Sequence, residues 1–133
     1  MSAEQVYRDY NAAENDHDLA RAAALVTPDL TVEVNGRPAI GSAEEDARAN
    51  AELLSCYPDY HRDIIEIVST GERAAVRWRM SGTPVAEVAD TLGVLDLHGC
   101  SVIEVIDGRI ATASLYFDRG VLDALLGRVA QTS

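Results

Sequence analysis

Basic residues are scarce in this 133-residue chain, 11 against 22 acidic ones, which leaves a net charge of −11. A surface of that sign repels phosphate backbones and anionic lipid, so neither nucleic acid nor a membrane surface is expected as a partner. Long apolar runs are missing as well; none approaches the roughly 20 residues that span a bilayer. The N-terminal stretch MSAEQVYRDYNAAEND has neither the basic nor the apolar region of a signal peptide, and a cytoplasmic protein is expected. Cysteine is almost absent. Cys56 and Cys100 stand far apart with no CxxC partner, which favours ordinary buried thiols over a disulfide or a nucleophile. His17, His61 and His98 show no metal-ligand spacing and no HExxH occurs, so no metal and no cofactor is expected.

What is present is ordinary globular composition, 47% apolar and 25% charged, enough for one domain over residues 1–133 with a single core. Val6, Tyr7 and Tyr10 follow i, i+3, i+4 spacing and predict a first helix. The polar cluster Asn15-Asp16-His17-Asp18 interrupts it and caps a second helix carrying Leu19, Ala22, Ala23 and Val26, which Thr27-Pro28-Asp29 stops. A short strand from Leu30 to Val34 turns at Asn35-Gly36. Ser42-Ala43-Glu44-Glu45 is a capping box, and the helix it opens carries Ala47, Ala51 and Leu54 on one stripe and ends before Pro58.

The period then changes to two. Tyr60 to Ser69 and Arg73 to Ser81 flank a turn at Gly71-Glu72; in the second strand Val76, Trp78 and Met80 point one way and Arg77, Arg79 and Ser81 the other. Thr83 to Thr91 reads as a loop or one helical turn. Strands from about Val94 to Ile106 and from Arg109 to Asp118 meet at Asp107-Gly108, and a terminal helix turns Val121, Leu122, Leu125, Leu126 and Val129 inward. Helices early and strands late make the class α+β: a cone-shaped, curved antiparallel sheet wrapped around the N-terminal helices, closed by a short C-terminal helix.

Asp118 is the first candidate for chemistry. A carboxylate at the end of an apolar strand, beside Tyr116 and Phe117, is costly to bury ionised, and desolvation would raise its pKa towards general-base values. If Asp118 faces the interior, Tyr116 and Ser114 share its face, while Ala113, Leu115 and Phe117 form the opposite one. Asp118 followed by Arg-Gly and an apolar run is equally a normal helix N-cap.

The order of elements, the VRWRMSGT strand, the HGCSVIEVIDGRI hairpin and the closing YFD before a helix ending in LLG resemble the SnoaL-like polyketide cyclases. These belong to the superfamily shared by nuclear transport factor 2 and ketosteroid isomerase. The resemblance covers roughly Val6 to Gly127. It implies an aspartate base near the end of the last strand, which Asp118 matches, and a substrate-binding histidine entering the preceding strand, which His98 matches. Pro84 stands where that family usually has a histidine, and Ser114 where a tryptophan often stands. The resemblance also implies a homodimer through the outer sheet face and a hydrophobic small-molecule substrate.

A base lined by aromatics can remove a proton from carbon next to a carbonyl without metal or cofactor, contributing about 10² to 10⁴ in rate. The enolate needs a donor, and His98, Tyr57 or Asn35 can supply it. Ring closure by aldol attack makes a cyclase; a proton returned elsewhere makes an isomerase. Arg62, Trp78 and Met80 are candidate pocket or rim residues. Two other readings stay open: a non-catalytic ligand-binding or assembly module, and an epoxide hydrolase, which would hold a water between Asp96 and an arginine.

Overall fold

A computed structural model of the chain describes residues 2–118. The terminal helix expected after Asp118 lies outside the described residues. Helix α1, Ala3–Asn15, is capped by Ser2, whose hydroxyl accepts from the Gln5 N–H at 3.2 Å. Helix α2, Leu19–Ala23, starts at the Asp18 cap, with His17 left-handed (φ 58°) between the two. Strand β1, Val26–Val34, begins earlier than the Pro28 punctuation suggested. Its ladder to the last strand is interrupted between Val26 and Thr31, so the N–H that Pro28 lacks is not missed there. Asn35 and Gly36, both at positive φ, turn β1 into β2, Arg37–Ile40, a strand the sequence did not disclose.

Helix α3, Ala43–Cys56, opens on Ser42, which caps the Glu45 N–H at 3.1 Å; the Glu45 carboxylate reaches back to the Gly41 N–H at 2.6 Å. Strands β3, His61–Thr70, and β4, Arg73–Gly82, form a hairpin through Gly71. A 3₁₀ turn, Ala86–Val88, and the short α4, Ala89–Leu92, resolve the ambiguous segment as helical turns. Strands β5, Leu95–Ile106, and β6, Arg109–Phe117, end the described chain.

The six strands run in the order β2-β1-β6-β5-β4-β3. Helix α3 carries the chain to the far edge, and the meander β3 to β6 brings it back beside β1. The number of reversals makes the β1–β6 pair parallel, with Val32 opposite Ala113, whereas every other pair is antiparallel. The α+β class and the curved, mainly antiparallel sheet are as expected, with this one parallel ladder added. The helices cover one face of the curved sheet, and Val6, Leu30, Val76, Trp78, Ile103 and Val105 form the core between them.

The α3 stripe also differs from expectation. Asp46, Leu53 and Cys56 are its buried residues, while Ala51 is exposed and Ala47 and Leu54 are only half-buried. The helix is rotated so that a carboxylate, not alanine, faces inward. Its partner explains why: Tyr10 on α1 donates its hydroxyl to Asp46.

Candidate functional site

Between the helices and the inner sheet face lies a cavity of about 120 Å³. One part is apolar, built by Leu30, Val32 and Val34 of β1, Met80 of β4, Ile103 of β5, and Ala113, Leu115 and Phe117 of β6. The other part is polar, where α1, α3 and β3 contribute Tyr7, Tyr10, Glu14, Asp46, Asn50, Tyr60 and Arg62.

Helix periodicity assembles that polar end. Tyr7, Tyr10, Asn11 and Glu14 recur at i, i+3, i+4 and i+7 on the buried face of α1, so the stripe that starts with aromatics ends with an amide and an acid. Asp46, Asn50 and Leu53 repeat the spacing on α3. The Tyr10 hydroxyl donates to Asp46 Oδ2 at 2.9 Å, and the Asn50 amide donates to the Tyr10 oxygen at 3.2 Å and to Asp46 Oδ2 at 3.5 Å. Asp46 Oδ1 takes neither bond. Burial pushes the Asp46 carboxyl up to about 6, and the nearby Glu14 charge pushes the same way; the Tyr10 hydrogen bond and Arg62 offset part of the rise.

Arg62 organises the rest. Its guanidinium forms a buried ion pair with Glu14 and donates from Nε to Asn11 Oδ1 at 2.7 Å. Asn15 and Asn11 bond its main chain, fixing β3 to α1. The guanidinium carbon lies 5.3 Å from the Tyr7 ring centre and 5.8 Å from that of Tyr10, within cation–π range. Burial works against its charge, but Glu14 and the surrounding tyrosines outweigh that and keep it protonated. Burial raises the Glu14 carboxyl, and Arg62 opposes that rise by charge and hydrogen bond.

The hydroxyls of Tyr7 and Tyr60, beside this cavity, are fully buried, and neither makes a hydrogen bond of normal geometry. Ser101 stands near enough to Tyr7, and Arg62 to Tyr60, to temper their pKa, yet burial holds both phenols above their ordinary value. They stay neutral donors. A buried donor left unsatisfied costs free energy.

The residues singled out from the sequence fall in three places. Met80 and Arg62 both line the cavity. Trp78 is buried next to it, donating from its indole to Ser101 Oγ at 2.8 Å and lying 6.2 Å from the Phe117 ring. Tyr57 and Asn35 serve architecture: Tyr57 donates to the Gly93 carbonyl at 2.9 Å, and the Asn35 side chain exchanges two hydrogen bonds with the Phe117 main chain.

The remaining candidates lie away from the cavity. Ala113, Leu115 and Phe117 of β6 face it, so the expected parity is reversed and Ser114 and Tyr116 turn to the other side of the sheet. Tyr116 is half exposed there, in a shallow groove with His98, Cys100 and Arg77. Asp118 is exposed beyond the end of β6. Asp96 pairs with Arg79 at 2.8 Å on the same outer face, with both side chains substantially exposed. Glu14 and Asp46 were not singled out. Their signal was present as helical spacing, but an acid on an apolar stripe reads as a solvated neighbour until a partner helix is known.

Among the described residues, no three His, Cys, Asp or Glu side chains are grouped to hold a metal ion. No described helix is long and apolar enough to cross a membrane.

The SnoaL-like domain model matches residues 7–113. The curated proteins give no match. Among solved structures, an epoxide hydrolase from M. tuberculosis, described as LEH-like, is 23% identical and covers 98% of this chain and 94% of its own, with a TM-score of 0.74. A proposed polyketide cyclase of Pseudomonas putida KT2440 is 23% identical over 89% of this chain and 92% of its own, with a TM-score of 0.70. A proposed ketosteroid isomerase of Kribbella flavida is 21% identical over 89% and 78%, also at 0.70. These likenesses establish the shared fold.

Proposed function

This chain belongs to the SnoaL-like domain family, and from that membership and its cavity we propose a cofactor-free acid/base enzyme acting on a hydrophobic, carbonyl-bearing small molecule. The observation that carries the proposal is Asp46: a carboxyl at the edge of an apolar cavity, fixed by Tyr10 and Asn50, that titrates at about 6. Such a group is ionised at neutral pH and still basic enough to accept a proton.

In the proposed step, Asp46 Oδ1 takes a proton from carbon next to the substrate carbonyl. The C–H electron pair moves into the new carbon–carbon double bond, and the carbonyl pair moves onto oxygen. Hydrogen-bond donors at the polar end of the cavity meet that oxygen, and Arg62 lies over the Tyr7 and Tyr10 rings. Return of the proton at another carbon completes an isomerisation; attack of the enolate carbon on a second carbonyl, whose π pair moves onto its oxygen and takes the proton from Asp46, completes a cyclisation. Preorganised donors in a water-poor site stabilise the enolate more than water does.

The same carboxylate, amide and phenol converge as a water-holding site would, which supports epoxide opening as a second reading. In that reading Asp46 takes a proton from water as the water oxygen attacks an epoxide carbon; the ring C–O bond breaks, its electron pair stays on the epoxide oxygen, and the proton held by Asp46 passes to that oxygen to give the diol. The proposal also seats a second copy on the outer sheet face, where Ile65, Val68, Val102 and Tyr116 are 43 to 64% exposed. A cytoplasmic location completes it, where reduced thiols such as Cys100 persist.

The test is hydrogen–deuterium exchange of the α-protons of a cyclic enone in D₂O, followed by NMR. Asp46→Asn is expected to lose about 10² to 10⁴ of the rate. Loss in Asp118→Asn with Asp46→Asn unaffected would return the base to the end of β6. Diol formation from an epoxide, with label from ¹⁸O water and no enone exchange, would favour the second reading.

A further inference from the structure

The cavity is open on one side, and the exposure of its lining shows where. Among the described residues that line it, Ala39 and Ile40 of β2, Ala49 and Asn50 of α3, and Ala113 and Leu115 of β6 are exposed or half-buried, and the others are buried. Strand β2 is an edge of the sheet, and α3 packs over its neighbour β1. The opening therefore lies between β2 and α3, with β6 as its floor.

An irregularity in the β1–β2 ladder shapes one lip. Val32 pairs with Ile40 and Glu33 with Pro38, so Ala39 is an extra residue that the ladder skips. A regular strand sends neighbouring side chains to opposite faces, whereas this bulge lets both Ala39 and Ile40 line the cavity. Bulges are enriched beside active sites for that reason. Helix periodicity shapes the other lip. Asp46, Ala49, Asn50 and Leu53 recur at i, i+3, i+4 and i+7, so Ala49 lies about one turn from Asp46 on the same stripe. Each lip carries an alanine, and any larger side chain there would narrow the way to Asp46. Apart from Asn50 the opening is apolar, which suits an apolar substituent and not a charged one.

We propose that substrate enters between β2 and α3, and that Ala39 and Ala49 determine which substrates fit. The carbonyl-bearing ring reaches Asp46, and an apolar substituent lies in the opening between the two alanines. Turnover of such a ligand rests on the acid/base reading above; its admission does not.

Methionine reports occupancy without catalysis. The chain holds two, Met1 and Met80, and Met80 lines the cavity. In ¹³C-methyl-methionine protein, cyclohexanone and 4-phenylcyclohexanone should both shift the Met80 signal saturably, the phenyl ketone at lower concentration. Ala39→Phe and Ala49→Phe should each weaken binding of the phenyl ketone about tenfold or more, and that of cyclohexanone less. Ala51→Phe, on the exposed face of α3, should change neither. Weaker binding of the phenyl ketone than of cyclohexanone to the native protein would overturn the proposal. So would native-like binding in both lip variants, equal losses in Ala51→Phe, or no Met80 shift with either ketone. If binding follows the expected pattern but neither ketone exchanges its α-protons in D₂O, the acid/base reading fails and the entrance stands.

Discussion

At the scale of single residues, the decisive contrast is between two aspartates. Asp118 attracted attention because it follows an apolar strand, yet it ends exposed, beyond the last strand residue. Asp46 drew none because it sits in an acidic first turn with Glu44 and Glu45, where acids suit the positive end of a helix. Burial separates them, and burial depends on the neighbouring helix. The raised titration of Asp46 carries a stability consequence. Its folded value of about 6 stands above the ordinary 3.8, so the ionised form is disfavoured by folding. Its favourable contribution is full below about 3.8 and is lost as pH rises through about 6. Asp46→Asn, which keeps an oxygen for Tyr10, should therefore gain stability relative to the native protein between pH 4 and pH 8. The gain should be on the order of 3 kcal/mol. Urea unfolding at both pH values measures it, and parallel curves for the two proteins would refute the buried titration.

Among the elements, boundaries were more legible than orientations. Capping residues Asp18 and Ser42 placed two helix starts, and turns at Gly71 and Asp107-Gly108 placed two hairpins. The facing of β6 was not legible. Alternation establishes only that odd and even residues differ; which set faces inward is fixed by pairing with β5, and a one-residue change reverses every side chain. On β6 the small Ala113 and the apolar Leu115 and Phe117 meet the cavity, so Ser114 and Tyr116 face away. Gly99 shows how finely the pairing is specified. It lies directly opposite Trp78, and a Cβ there would collide with the indole ring. Gly99→Ala should cost about 1–3 kcal/mol by overpacking. Thermal unfolding would show it, and a fluorescence change of the single tryptophan should accompany the loss. An unchanged melting temperature would mean that the indole has room to move.

For the whole molecule, charge and apolar exposure point to the same face. The net charge of −11 makes chance association unfavourable through self-repulsion. On the outer sheet, however, Arg73, Arg77 and Arg79 pair with Glu104, Glu66 and Asp96, so charge is locally balanced between the exposed Ile65, Val68, Val102 and Tyr116. A second copy can approach there with less repulsion than elsewhere. If the proposed dimer forms, Val102→Asp combined with Tyr116→Asp should shift it to monomer in sedimentation equilibrium while leaving the cavity intact. A native protein that sediments as a monomer at every concentration would remove the dimer from the proposal.

Local signals in the chain settled the α+β class, five of the six strands and the family, because caps, turns and periodicity act over a few residues and need no partner. Site assembly is different in kind. Arg62 reaches Glu14 across 48 positions, and Tyr10 reaches Asp46 across 36. Whether an acid on a helix is solvated or buried, and which face of β6 looks inward, depends on what the far segment brings. Folding brings α1, α3 and β3 together, and the desolvation that gives Asp46 its chemistry exists only there.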